Sequence, residues 1–345
     1  MMVLGMSPLA LAQLPPDVFN TPRPLTSQQV AALKDFVQKN LAGLKSKDSR
    51  ELADARRSLL DPVRRDTSRT FRMAYNDALT PGLTVLAKDE QAEMANRQAA
   101  IWILGSVASD DSDAALRDVL ESKVPALRYA AATAFERSMQ ANLLDRNAYS
   151  NALQSEKDVA RILRTGLETE TDAEVLRALL AAAAALPTVA NALDTISDGL
   201  VAQARRLRDA DSPACLNSMR IGLERMQKRY VVDTVGGPAI APHEHRMIEA
   251  AADVLLLVVR HGKAEKITDE NRDTYSNLAR TSENLLSLLC KRDSAQTRVS
   301  NAVAAGRYDD ADAALKSTWL AGDGPIYSNR VWEFEAGSIE AAFNR

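Results

Sequence analysis

Two cysteines, three histidines and an aromatic fraction of 5% leave this 345-residue chain short of the side chains from which many sites are built. A disulfide framework needs a dense set of cysteines. Cys215 and Cys290 stand too far apart in a linear array to pair, so buried free thiols are expected. Glycine and proline are scarce, and no segment reads as a strand run, so a sheet is not expected. A membrane span needs about 18 apolar residues without charge. The longest candidate, residues 250–259, is too short and contains Asp253. With a net charge of −3, the chain has no overall field to hold a polyanion, so nucleic-acid binding would need a local patch. There is no Gly-x-Ser-x-Gly, His-Glu-x-x-His, P-loop or dinucleotide fingerprint, and no cofactor is implied.

What the chain does have is alanine and leucine, which supply most of its 46% hydrophobic residues. That mixture suits close-packed helices. Nearly everything after Pro24 follows a helical period. Thr26 and Gln29 have the spacing of a capping box, and Val30, Leu33, Phe36, Val37, Leu41 and Leu44 mark one face of the helix that follows. Further helices are expected over about 49–60, 67–79, 91–107, 113–121, 124–140, 147–153, 157–168, 172–186, 188–209, 213–229 and 243–261. Ahead of them, Ala10-Leu11-Ala12 closes a short apolar run before a Pro-rich stretch. This resembles the end of a secretory signal peptide without its basic start. Residues 1–24 are therefore read as a signal-peptide remnant and linker, and export to the periplasm or the medium is expected, with a cytoplasmic tail as the alternative.

Two segments echo each other. Leu116-Arg117-Asp118-Val119-Leu120 leads to Leu127-Arg128-Tyr129-Ala130, and Leu163-Arg164-Thr165-Gly166-Leu167 leads to Leu176-Arg177-Ala178-Leu179. The offset is about the length of a two-helix unit. The stretch from Asn96 to Arg137 has an Ala-rich helix, an acidic turn, a second helix and an Arg-Tyr-Ala-Ala-Ala helix. It resembles a HEAT-type repeat. The resemblance implies an all-α fold, an α-solenoid of stacked antiparallel helical hairpins, with a non-repeating helical bundle as the alternative. Near the C-terminus, Gly306-Arg307-Tyr308 followed by Ala311, Ala314 and Leu315 is similar to a single tetratricopeptide turn. The main break in the rhythm is YVVDTVGGPAIAP, residues 230–242. The expected organisation is a helical array over 25–230, an irregular loop over 231–243 and a helical region over 244–345.

The candidate sites are few. His243 and His245 flank Glu244, and about 24 Å of helix would separate His245 from His261. The pair is a candidate metal site lacking a third ligand beyond Glu249, and His261 is expected to cap its own helix C-terminus. Together with Val235, Gly236 and Gly237, His243 and His245 form a candidate binding loop. The aspartates at 110, 111 and 113 and at 309, 310 and 312 lack the glycine of a calcium loop and are read as helix caps. Arginine outnumbers lysine more than twofold. Arg56, Arg57, Arg64, Arg65, Arg69 and Arg72 form one group, and Arg205, Arg206 and Arg208 head a second. Such forks suit carboxylates and phosphates. The aromatics, Trp102 among them, are read as core, and IYSNRVWEFE as a docking segment.

The expected function is a non-catalytic scaffold that binds a protein partner, with an acidic surface as a candidate counterpart. The alternative is nucleic-acid or polyanion binding through the arginines, against which the acidic balance and export weigh. A metal-dependent enzyme at His243/His245 is the third reading.

Overall fold

The computed structural model describes residues 14–20, 23–144, 152–211, 214–234, 241–292, 296–327 and 334–345. Every regular element among them is helical, and the chain divides into two compact units, Met1–Ser155 and Glu156–Arg345. The division passes through the start of a helix rather than through the expected loop at 231–243.

Unit 1 holds α1 (Ser27–Leu44), α2 (Ser49–Arg64), α3 (Arg69–Lys88), α4 (Met94–Val107), α5 (Asp110–Leu120) and α6 (Pro125–Leu144). Local signals set several of the starts. Thr26 and Gln29 close the capping box that their spacing predicts, and the side chains of Asp48, Ser68 and Ser109 accept from first-turn N–H groups of α2, α3 and α5. α3 runs past the expected end through Pro81, because Leu83, Leu86 and Ala87 continue its buried stripe. Helices pack chiefly on the next and the next but one: α1 on α2 and α3, α2 on α4, α3 on α4 and α5, and α4 and α5 on α6. The helices therefore alternate between two layers, α1/α3/α5 and α2/α4/α6, the packing of an α-solenoid. The stretch expected as a linker is partly core. Leu14, Val18 and Phe19 are buried, Phe19 lies 5.0 Å from the Phe71 ring, and the Ser68 N–H donates to the Phe19 carbonyl at 2.9 Å.

Unit 2 takes in nearly all of α7 (Ala152–Thr169), then α8 (Ala173–Ala184), α9 (Val189–Leu207), α10 (Leu216–Thr234), α11 (Ala241–Lys263) and α12 (Arg272–Leu289). The expected helices at 147–153 and 157–168 meet α7, with residues 145–151 outside the described chain. The same two-step packing recurs: α8 on α9 and α10, α9 on α10 and α11, and α10 and α11 on α12. The Ala-rich run from Ala178 to Leu186 is packed as expected, with Leu179, Leu180, Ala182 and Ala183 almost wholly buried. A shorter pair follows, α13 (Arg298–Ala304) and α14 (Tyr308–Thr318), and then α15 (Ser338–Phe343). Gly306 turns the pair at φ 69°, and Ala311 and Leu315 are its buried contacts. Here the order changes: α13 packs on α12, and α14 returns to α11.

The loop at 231–243 is shorter than expected. α10 continues to Thr234 and α11 begins at Ala241. Two valines in an exposed last turn cost only tenths of a kcal/mol each, about the helix-propensity penalty, and do not end the helix. Val235, Gly236 and Gly237 lie outside the described residues.

Helix ends in unit 2 are closed by distant side chains. The Glu156 carboxylate accepts from the Thr188 N–H at 2.7 Å, its hydroxyl at 2.9 Å and the Asn191 amide at 3.0 Å, capping α9. Glu283 does the same for the Val299 and Ser300 N–H groups. His261 is buried and serves α9 instead of its own helix. Its Nε2–H donates to the Leu207 carbonyl at 2.9 Å, and its Nδ1 accepts from the Tyr275 hydroxyl at 2.6 Å. A carbonyl can only accept, so Nε2 carries a proton, and in the neutral imidazole Nδ1 is the acceptor. Burial, the largest influence, lowers the imidazole pKa accordingly.

Candidate functional site

The first arginine group is spread along α2 and the start of α3. Arg57 and Arg64, seven residues apart, share one stripe of α2. Arg56, Arg64 and Arg69 are exposed and form no ion pair among the described residues. Among the described residues Arg57 pairs only with Asp54 of its own helix, at 3.2 Å. Arg65 grips Asp61 through Nε at 3.0 Å and Nη2 at 2.6 Å, and its guanidinium lies 5.0 Å from the Phe19 ring. Arg72 is half-buried and donates to Thr67 and to the Arg65 carbonyl. The six thus separate into an exposed set on α2 and α3 and a pair, Arg65 and Arg72, tied to local structure.

The residue that gives this face a centre is Trp102, which residue type alone assigns to the core. It is 42% exposed on the outward side of α4, in a stripe with Ala95, Gln98 and Ser106. The polar residues four positions before and four positions after it, Gln98 and Ser106, were the missed signal. The Arg137 guanidinium of α6 lies 3.3 Å from the Trp102 ring centroid, a close cation–π contact. Burial pushes the Arg137 pKa down, with Glu136 opposing and Arg64 adding to the fall. Arg64 of α2 therefore lies near enough to act on Arg137. The Nη1 of Arg137 has no hydrogen-bond partner among the described residues. Tyr129, 40% exposed, extends the same side of α6. The close seam beneath depends on Gly105. A Cβ there would lie 2.5 Å from the Ala134 carbonyl oxygen, so only glycine lets α4 and α6 approach this far.

The second arginine group is committed to unit 2 itself. Arg205 of α9 binds Asp253 at 2.7 Å and Glu249 at 2.6 Å, both on α11. Arg206 donates to the Glu170 carbonyl and to Gln203. Arg208 pairs with Asp209 at 2.9 Å and donates to the Phe343 carbonyl at the end of α15. The ladder continues along the same helices. Asp198 receives Arg164 of α7 at 2.9 Å and Arg246 of α11 at 2.8 Å, and Asp194 faces His243 at 2.8 Å. Asp253 has no exposed side-chain surface, and burial pushes its carboxyl up to about 7 despite Arg205. Burial also raises Asp198 against the pull of Arg164 and Arg246.

The two candidate metal-binding histidines have separate partners. His243 Nδ1 meets Asp194, whereas His245 stacks on Phe334 at 3.9 Å. No group of three or more His, Cys, Asp or Glu side chains among the described residues is placed to hold a metal ion. Phe334 also fixes one end of the IYSNRVWEFE segment, and the Tyr327 hydroxyl donates to Glu340 at 2.7 Å at the other. Its middle, residues 328–333 with Trp332, lies outside the described residues. Cys215 and Cys290 are both unpaired, and burial pushes the Cys290 thiol up to about 12. Among the described residues no helix is long and apolar enough to cross a membrane. Asp113 is buried and accepts from Ser138 of α6 at 3.1 Å, and Asp312 pairs with Lys263 and Lys316.

No protein-family model matches the chain, and no curated protein matches it. Among solved structures, it is similar to computationally designed armadillo repeat proteins for modular peptide recognition, at 17% identity and a TM-score of 0.37, covering 71% of this chain and 99% of that one. Another designed armadillo repeat protein matches at 14% identity and a TM-score of 0.35, covering 81% and 99%. An engineered protein matches at 18% identity and a TM-score of 0.34, covering 72% and 97%. The helical-repeat assignment rests on the packing of the helices within each unit.

Proposed function

We propose that this chain is a non-catalytic scaffold that binds a protein partner on the outward face of α2, α4 and α6 in unit 1. The observation that carries the reading is Trp102, exposed beneath the Arg137 guanidinium. Tryptophan and arginine are the side chains most often dominant in protein interfaces, because each buries a large area and still offers a directed polar contact. Arg64 adds positive charge close to Arg137, Arg56 and Arg57 are further exposed arginines of the same helix, and this charge favours a partner with acidic residues beside an apolar anchor.

Immobilised protein is compared with a Trp102→Ala variant in capture from extract, followed by binding measurements on each purified partner. Loss of a hot spot weakens binding by about 30-fold. An unchanged set of partners and unchanged affinities would overturn the reading. The polyanion reading retains only the unpaired arginines of unit 1. It requires a labelled duplex to bind with a steep salt slope, and no binding at about 50 mM salt removes it. Export is proposed on the Ala10-Leu11-Ala12 pattern, and sequencing the N-terminus of the protein from its native compartment tests it.

A further inference from the structure

Between α10 and α12 in unit 2 lies a groove of about 500 Å³ whose chemistry differs from the Trp102 face. On α12, Asn277, Arg280 and Asn284 line it three and seven residues apart, and so share one stripe of the helix. None of the three side chains has a hydrogen-bond or ion-pair partner among the described residues. On α10, Arg220 is already engaged: it donates to the Asn217 Oδ1 at 3.0 and 3.2 Å and pairs with Glu224. Asn217 keeps its amide N–H2 group. The Thr281 hydroxyl is also spent, donating to the Asn277 carbonyl at 3.0 Å. What remains is three primary amides and one unbalanced cation, Arg280, with no aromatic ring in the wall.

Each asparagine offers two donors and one acceptor, the complement of a peptide group. Nucleobases rely on aromatic stacking, which this wall lacks. Asn277 and Asn284 are about 10.5 Å apart along the helix. An extended chain advances about 3.3 Å per residue, so about three residues bridge them. Arg280 stands between the two and is a fork for a carboxylate.

We propose that this groove binds an extended peptide segment bearing a carboxylate side chain, with Asn277 and Asn284 pairing its backbone and Arg280 its carboxylate. The site is in unit 2 and does not rest on the Trp102 face.

The probe is a pool of N-acetylated, C-amidated hexapeptides with glutamate fixed at one central position and the others randomised. A glutamine-fixed pool and sodium acetate are the controls. The readout is the side-chain amide signals of Asn277 and Asn284 in the full chain, assigned with the single alanine variants, together with the backbone amide signals of Arg220, Arg280 and Thr281, which the double variant keeps. The glutamate pool is expected to shift both signals and to bind more tightly than the glutamine pool. Arg280→Gln removes that preference, and Asn277→Ala with Asn284→Ala weakens binding on the order of tenfold. Trp102→Ala leaves the response intact, which separates failure here from failure of the unit 1 reading. Three results overturn the proposal: no shift with either pool at millimolar concentration, an equal shift with acetate alone, or unchanged binding by the double asparagine variant. These side chains are exposed or half-buried, so the substitutions leave the core intact.

Discussion

The arginines of α2 and those at the end of α9 are similarly dense in the sequence and opposite in use. Arg205 faces α11, which presents Glu249 and Asp253, and it is consumed by them. Arg57 and Arg64 lie on a helix whose next-but-one neighbour, α4, contains no carboxylate at all and presents Trp102 instead. For Arg205 against Arg57 and Arg64, what the helix two places along presents separates a committed arginine from an available one. Arginine density alone does not distinguish the two cases.

The largest effect should come from removing the buried partner. Arg205→Met leaves Asp253 enclosed with no cation. The cost should be about 3 kcal/mol at pH 8, since breaking a buried pair strands the remaining charge. Urea unfolding of the variant checks it. At pH 5 the cost should shrink, because Asp253 then carries a proton. An equal loss at both pH values would show that Asp253 does not sense the arginine. The equivalent test in unit 1 concerns packing. Gly105→Val forces a side chain against the Ala134 backbone, and overpacking of this kind costs about 1–3 kcal/mol. It should also slide Arg137 off the Trp102 ring, which tryptophan fluorescence reports. Unchanged stability and emission would mean that the α4–α6 seam is looser than its geometry implies.

The pH dependence sharpens the same contrast. Asp253 titrates near 7 in the folded chain and near 3.9 unfolded, so between these values the folded state binds more protons. Its contribution to stability is therefore present below about pH 4 and is lost as pH rises through 7. His261 has the opposite sign. Its depressed folded pKa means that its contribution is present above the ordinary imidazole value and is lost as pH falls through the lower folded one. Stability of wild type minus that of Asp253→Asn, measured across this range, isolates the carboxyl. The difference should fall with rising pH and level off above 7. A flat difference would place Asp253 in the same protonation state in both forms.

Much of this architecture was legible because its signals are local. The capping box at Thr26, the stripe from Leu33 to Leu44 and the alanine run of α8 each lie within a few residues. The turn at Gly306 was visible for the same reason. What escaped was long-range. Glu156 caps a helix through Thr188, 32 residues later, His261 closes one that ends 54 residues earlier, and Arg208 reaches across 135 residues to Phe343. No spacing rule covers such distances. The valines that looked like a loop at 231 and 232 are tolerated by a helix end, because their propensity penalty is small. Trp102 escapes for a different reason: its residue type points to the core, and only its polar stripe neighbours, Gln98 and Ser106, point outward.

The smallest effect on stability is the most informative about function. Arg56 and Arg64 are exposed and have no ion pair among the described residues, so replacing both with alanine should change unfolding free energy by under about 0.5 kcal/mol. Unlike Arg205, they leave no stranded carboxylate behind. If the α2/α4/α6 face binds an acidic partner, the same double variant should slow association and weaken its dependence on salt, because steering depends on charge at the rim. Dissociation, governed by Trp102, should change little. Stopped-flow or biosensor rates at two ionic strengths would separate the two. A variant with wild-type stability and a wild-type association rate would show that the unpaired arginines of unit 1 take no part in recognition. The contrast with the committed arginines of unit 2 would then reduce to an accident of which helix lies opposite.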